Sequence, residues 1–406
     1  MPGARLMRRV IDALSLCGFR PFFLAAVVTA LVAMAAWTAF LFVGLPLPAT
    51  PGGPLVWHAH EMILGFGLAA LAGFLVTAAP ELTDTEPFRP APVGVLVALW
   101  LVARLGFWVG GFGAWVTALA EIALLGGLLL LIAPRLWSDP ARRHLAFFWA
   151  VLAMLLVVIG FHVDALRGVP PMRWLLVATG LFMVLIVLAM GRISMRIVND
   201  ELQAAGFEDR SYRSRPPRRN LAIFCISAFT IAEWVAPMHP VSGWLALAAA
   251  AALFNLMNDW HLGRVVFRRW IFMPYVLHWM LALGYLFLGL SILGETGHAS
   301  AARHLLLIGA LAGAALLVMS IAGRIHAGLP LETGRWLPLA VGLLLVSALA
   351  RAATGVAGLP GSWLLALAAI AWIVVFVAAL VWLVPIWLRA RPDDAPGCAG
   401  PPDSGH

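Results

Sequence analysis

Residues 22–43 read FFLAAVVTALVAMAAWTAFLFV, a run of 22 residues without a charged side chain. At the helical rise of about 1.5 Å per residue, such a run spans the roughly 30 Å hydrocarbon core of a bilayer. The run is longer than the apolar region of a signal peptide, and no clear cleavage signal follows it. This stretch therefore predicts an uncleaved membrane-spanning helix near the start of the chain.

Similar apolar runs recur along the whole sequence. Of its 406 residues, 63% are hydrophobic and 11% are charged, whereas about a quarter of a soluble domain is charged. So few polar groups cannot cover a soluble surface, and the short alternating segments of an outer-membrane barrel are missing. We expect an all-α, polytopic transmembrane helical bundle of about twelve helices. They are predicted at 22–43, 57–79, 92–110, 113–133, 144–164, 172–190, 220–238, 241–259, 270–292, 302–322, 336–354 and 362–388.

The helices are expected to form a single transmembrane domain, 1–406, with two polar segments outside the membrane. Segment 191–219 carries seven arginines and four acids and is interpreted as a cytoplasmic loop. A regulatory or lipid-binding role for this loop is the less favoured alternative. The Pro-, Gly- and Asp-rich residues 391–406 are predicted to be a disordered tail.

The distribution of arginine predicts the orientation in the membrane. All 27 basic residues are arginine, and they lie mainly in short loops, where positive charge marks the cytoplasmic side. Twelve crossings with both termini in the cytoplasm leave only four arginines outside: Arg167, Arg173, Arg303 and Arg351. The net charge of +8 therefore reflects membrane topology, and we expect a lipid bilayer and no nucleic acid as partner.

The spacing of the cysteines and the absence of known catalytic motifs restrict the chemistry that the protein can perform. Cys17, Cys225 and Cys398 are far apart, so a thiolate metal site or a disulfide framework is not expected. A Cys-x-x-Cys-His haem attachment is absent, so any haem must be bound non-covalently. The sequence also lacks phosphate-binding glycine loops and nucleophile motifs, so no enzymatic reaction is assigned.

Histidines near helix ends are the candidates for a cofactor site. With the predicted orientation, His58, His60, His162 and His304 lie near the outer ends of their helices, while His278 lies deeper. Imidazoles gathered from several helices could bind copper, iron, zinc or haem. The alternative is that each histidine is isolated and faces water or a backbone carbonyl.

The segment Trp57-His58-Ala59-His60-Glu61-Met62 is the sharpest local pattern. Helical residues two apart point about 200° apart, so His58 and His60 cannot both bind one metal. In a regular helix His58, Glu61 and Met62 share a face, and Glu61 could orient an imidazole as an acceptor next to the metal ligands. Glu61 could equally be a proton carrier or an interfacial carboxylate.

Two further charges are expected to pair inside the membrane. Arg104 and Glu121 lie on successive helices at similar distances from the turn at Gly110-Gly111. Charged residues at membrane depth usually pair with one another. The sequence therefore predicts a structural ion pair between Arg104 and Glu121.

Several of these segments resemble the NnrS family. The resemblance is carried by Gly18-Phe19-Arg20-Pro21-Phe22-Phe23, Trp57 to Met62, Gly65-Phe66, Ala72 to Leu75, Thr77-Ala78, Phe161-His162, Leu277-His278, Gly284-Tyr285, Arg303-His304, Gly309-Ala310 and Met319 to Arg335. It implies a twelve-helix protein of the bacterial inner membrane that contains haem and copper. It also implies a link to denitrification and to defence against nitrosative stress, with nitric oxide or a nitrosylated species as partner. The expected haem or metal ligands are His58, His162, His278 and His304, with His60 as a further candidate.

A secondary transporter of a small solute or metal is the alternative function. Twelve helices with an arginine-rich central loop suit a transporter built from two halves. Such a protein should show internal symmetry, of which the sequence offers only Gly191-Arg192-Ile193 and Gly323-Arg324-Ile325.

Overall fold

The computed structural model describes residues 10–140, 142–207, 209–356, 358–393 and 397–398. This part of the chain is helical and contains no strand, which confirms the all-α prediction. We number its twelve long helices in chain order. They are α1 (Phe19–Val43), α2 (Pro54–Leu82), α3 (Pro90–Val109), α4 (Gly113–Ser138), α5 (Leu145–Leu166), α6 (Met172–Ala204), α7 (Pro216–Val235), α8 (Pro240–Trp260), α9 (Arg269–Leu293), α10 (Ala299–Ile325), α11 (Trp336–Ala353) and α12 (Gly361–Trp387).

Eleven of these helices are long and apolar enough to cross a membrane. The remaining one, α7, has 20 residues but carries Arg218, Arg219 and Glu233, so it is less apolar than the others. The described chain is therefore a multi-pass membrane protein, and about twelve crossings remain consistent with its helices.

The chain forms two compact units. The first comprises the described residues of Met1–Leu175, Ala315–Gly334 and Phe376–His406, and the second comprises those of Leu176–Ala314 and Arg335–Val375. The sequence does not indicate this division, because apolar segments recur along the whole chain.

In the first unit, α4 packs between α3 and α5, and α2 packs against α1 and α4. Glycine allows one of these close approaches, and a hydrogen bond joins another pair of helices. A Cβ atom on Gly73 of α2 would lie 2.7 Å from the ring of Phe23 in α1. Thr117 of α4 donates a hydrogen bond to the carbonyl of Ala103 in α3, at 3.1 Å. These contacts bring the polar residues of α2, α3 and α4 to one level of the unit.

In the second unit, α8 packs between α7 and α9. The first part of α10, which belongs to this unit, packs against α9 and α11. A Cβ atom on Gly309 of α10 would lie 2.7 Å from the side chain of Met280 in α9. Small residues let the helices approach closely. Van der Waals packing then stabilises the contact, because lipid provides no hydrophobic driving force between helices.

Two of the helices contain a wider, π-helical segment. In α2 this segment is Glu61–Gly67 and begins directly after His60; in α10 it is Leu305–Ala312 and begins directly after His304. Such segments change which residues share a helix face, and they frequently occur at functional sites. A regular 3.6-residue periodicity does not predict them.

The polar segment after α6 is shorter than the predicted loop 191–219. Helix α6 continues to Ala204, because Ile197, Val198 and Leu202 bury an apolar face beyond the membrane-spanning part. The connection is then closed by Asn199, whose side-chain oxygen accepts a hydrogen bond from the backbone of Tyr212 at 2.8 Å.

The end of the chain differs from the predicted disordered tail in its described residues. Arg391 is buried and forms an ion pair with Asp393 at 2.6 Å. Cys398 is joined by a disulfide to Cys17, a single pair that the sequence analysis did not predict. A separation of 381 residues hides this pair from any spacing rule. The rest of 391–406 lies outside the described residues.

Candidate metal centre

Three side chains from three helices of the first unit converge inside the protein. His60 of α2, Glu121 of α4 and His162 of α5 are all buried, and their potential ligand atoms lie within 4.8 Å of one another. Nε2 of His162 is 2.8 Å from Oε2 of Glu121, and Nε2 of His60 is 3.4 Å from Oε1 of the same carboxylate. Both imidazoles therefore direct the same type of nitrogen towards one carboxylate.

Glu61 fixes the orientation of the His60 ring. Oε1 of Glu61 lies 3.3 Å from Nδ1 of His60, and Oε2 accepts a hydrogen bond from Nε1 of Trp108 at 2.9 Å. When Nδ1 of His60 donates its proton to this carboxylate, Nε2 carries the free lone pair that binds a metal. A carboxylate on the far nitrogen of a ligating histidine is a common arrangement in metal sites.

Arg104 lies between the two carboxylates. Its guanidinium forms ion pairs with Glu61 and with Glu121, and Nη1 is 3.5 Å from Nδ1 of His60. The Arg104–Glu121 contact is the one expected from sequence, whereas the contact with Glu61 was not anticipated. Two ionised carboxylates facing one guanidinium leave a net negative charge, which a bound cation or a proton on an imidazole would balance.

Aromatic rings surround the cluster. The ring of Phe107 stacks on His60 with centroids 3.7 Å apart and planes 19° apart, and the ring of Phe161 lies 4.9 Å from His60. The indole of Trp100 donates a hydrogen bond to the carbonyl of Gly65, in the π-helical segment, at 3.2 Å. These aromatic side chains limit the access of water. Because the local dielectric constant is then low, electrostatic interactions within the cluster are stronger.

The donor set fits a transition metal. Nε2 of His60 is buried and makes no hydrogen bond to any described residue, as expected for an atom whose partner is a metal. Two imidazoles with one carboxylate suit copper, zinc or iron and leave coordination positions for a small ligand. The proton shared by His162 and Glu121 would leave on metal binding, because metal ligands must be deprotonated.

His58 is not a member of this group of potential ligands. Its ring stacks on Trp37 with centroids 4.3 Å apart and planes 14° apart. His58 and His60 belong to the same α-helical turn, and therefore they point to different sides, as the sequence indicates. The π-helical segment begins at Glu61, and it is His60 that contacts Glu61. Met62 lies half-buried in the same segment.

His278 and His304 belong to the second unit. Each ring is held by its own helix, because Nδ1 of His278 is 2.8 Å from the carbonyl of Pro274 and Nδ1 of His304 is 2.7 Å from that of Ser300. A histidine that donates through Nδ1 presents Nε2 as the coordinating nitrogen. His278 is buried beside the indole of Trp260, with ring centroids 5.3 Å apart.

Sequence reasoning missed Glu121 as a potential ligand. It was assigned only to an ion pair with Arg104, although it also contacts His162. The sequence did contain a signal for this contact. Glu121 and His162 lie on successive helices, and both fall in the half of the membrane that is predicted to be external. Glu233 forms an ion pair with Arg303 in the second unit.

Comparison with known proteins assigns the chain to a family. The family model described as NnrS protein matches residues 13–391, which is nearly the whole chain and includes all five candidate histidines. No curated protein matches the sequence. With a multi-pass helical fold and a match of this extent, the chain belongs to the NnrS family.

Proposed function

We propose that this NnrS-family member is a haem- and copper-binding protein of the bacterial inner membrane that acts in the response to nitric oxide and nitrosative stress. Family membership supports a role related to nitric oxide. The buried group of His60, Glu121 and His162 is the observation that carries the metal-binding part of the proposal. A link to denitrification follows from the family resemblance.

The chemistry of this group suits a small, uncharged gas. His60, Glu121 and His162 would hold copper, which supplies a site where nitric oxide binds directly. Glu61 orients His60, and Arg104 offsets the charge of the two carboxylates. The surrounding aromatic rings admit an apolar diatomic molecule more readily than a hydrated ion.

His278 and His304, both in the second unit, are the proposed haem ligands, and His58 of the first unit is a separate candidate. Their Nδ1 contacts with backbone carbonyls support this role, since a histidine that donates through Nδ1 has Nε2 as its coordinating nitrogen. The lack of a Cys-x-x-Cys-His motif requires that such a haem be bound non-covalently. The cytoplasmic location of both termini is proposed from the arginine distribution alone.

Purification with cofactor analysis tests the proposal. The protein should be expressed with added copper and haem precursor, purified in detergent, and analysed by absorption spectroscopy and metal quantification. We expect a Soret band and bound copper; His60→Ala, Glu121→Gln and His162→Ala should lose the copper and retain the Soret band. His261→Ala, at an exposed loop position, is the matched control and should retain both.

Two outcomes would contradict the proposal. Wild-type protein with neither a Soret band nor copper would refute it, and solute uptake by proteoliposomes would then favour the transporter alternative. Copper retained in all three variants would remove the His60–Glu121–His162 group as the metal site, while haem binding could still be measured separately.

A further inference from the structure

The motif Gly18-Phe19-Arg20-Pro21-Phe22-Phe23 takes no part in the metal centre, yet its arginine is completely buried. Arg20 lies in the first turn of α1 and has 0% of its surface exposed. Its Nη1 donates to the carbonyls of Ala13, Trp387 and Arg389 at 3.0, 2.9 and 2.7 Å. One guanidinium nitrogen therefore joins the segment before α1 to the end of α12.

The other two nitrogens of the same guanidinium have no partner among the described residues. Nε and Nη2 of Arg20 are both buried and make no hydrogen bond. They form one edge of the planar group, with parallel N–H bonds that match the two oxygens of a carboxylate or phosphate. Buried donors without partners are rare in folded proteins and call for a ligand or water.

The charge of Arg20 is also unmatched in the described part of the chain, where no carboxylate forms an ion pair with it. The guanidinium of Arg391 is close enough for its positive charge to act on Arg20. Arg391 is itself paired with Asp393, through contacts of 2.9 Å to Oδ1 and 2.6 Å to Oδ2. Asp393 is therefore engaged with Arg391, and the excess positive charge remains at Arg20.

We propose that the Nε–Nη2 edge of Arg20 binds an oxyanion, the phosphate group of an acidic lipid or a free phosphate ion. The site lies where α1 begins, and the phosphate groups of lipids lie at the ends of membrane-spanning helices. The carbonyls of Ala13, Trp387 and Arg389 hold the guanidinium in place, so that its edge is pre-organised for two oxygens.

The test compares wild type with Arg20→Lys, which keeps the positive charge but loses the two-point edge. Arg89→Lys, at an exposed position before α3, is the matched control. In one arm, the proteins are reconstituted in nanodiscs of phosphatidylcholine with and without phosphatidylglycerol, and retained lipid is identified by native mass spectrometry. In the other arm, inorganic phosphate is titrated into detergent-solubilised protein while the thermal unfolding midpoint is followed.

We expect wild type and Arg89→Lys to retain phosphatidylglycerol, and Arg20→Lys to bind it about tenfold more weakly, because a bidentate contact becomes a single one. Stabilisation by inorganic phosphate in wild type and not in Arg20→Lys would identify a free ion as the ligand. Equal lipid retention and equal phosphate response in all three proteins would overturn the proposal. If Arg20→Lys fails to fold, a wild-type midpoint that neither phosphatidylglycerol nor phosphate raises would overturn it as well.

Discussion

Arg104 is the residue on which the charge balance of the candidate metal centre depends. It contacts both Glu61 and Glu121, so Arg104→Gln would leave two carboxylates buried without a counter-charge. We expect a destabilisation of about 3–5 kcal/mol, as is typical when one partner of a buried pair is removed. Thermal unfolding in detergent measures it, with the exposed Arg89→Gln as control. Adding Glu61→Gln should restore part of the loss, and an unchanged midpoint in Arg104→Gln would contradict the ion-pair geometry.

Trp108 would act on a bound metal through Glu61. Its indole donates to Oε2 of Glu61, so Trp108→Phe should leave the fold intact and loosen the orientation of His60. Loss of such an outer contact typically weakens metal binding about 10–100-fold. Competition with a copper chelator measures the affinity. Trp115→Phe in α4, whose side chain is exposed, is the control, and equal affinities in the two variants would exclude this positioning role.

Some contacts of these residues could be predicted from sequence and others could not. Arg104 and Glu121 could be paired from sequence, because intramembrane charges need partners and both lie near one turn. The contact of Glu61 with His60, rather than a face shared with His58, could not be predicted, because it depends on side-chain directions at the start of a π-helical segment. A ligand set of His58, His162 and His304 stays a prediction.

The π-helical segment of α2 sets the direction of His60 relative to the rest of its helix. Deleting one residue within Glu61–Gly67, such as Leu64, should convert the wide turn into regular α-helix. His60 would then rotate by about 100° relative to Leu68–Leu82. We expect copper to be lost while the protein is still inserted in the membrane, as checked by metal analysis and membrane fractionation. Deleting Asp84 in the following loop is the control, and copper retained without Leu64 would argue against the role of the segment.

Most of the helices could be predicted because apolar length alone determines a membrane span. The start of α1 and the extension of α6 to Ala204 could not, since charged residues interrupt the apolar runs there, while buried side chains continue each helix. The disulfide between Cys17 and Cys398 was missed for another reason. It joins the two ends of the chain, and only the folded structure brings them together.

At the scale of the whole molecule, the orientation of both termini depends on whether α7 crosses the membrane. Its three charged residues lie near its two ends and leave 220–232 uncharged. Arg218 pairs with Asp259 at 2.6 Å, and Glu233 pairs with Arg303. Partners at both ends lower the cost of placing these charges at the membrane boundaries. We therefore expect α7 to span the bilayer.

Reporter fusions test this crossing directly. Fusions after Arg213 and after His239 should report opposite sides of the membrane, the first cytoplasmic and the second external, because the arginine-rich side is retained inside. Fusions at the two ends of the chain should both report the cytoplasm. Replacing Glu233 with Gln is the control for the acid itself and should leave the pattern unchanged. Fusions after Arg213 and His239 that report the same side would reduce the crossings to eleven and place the termini on opposite sides.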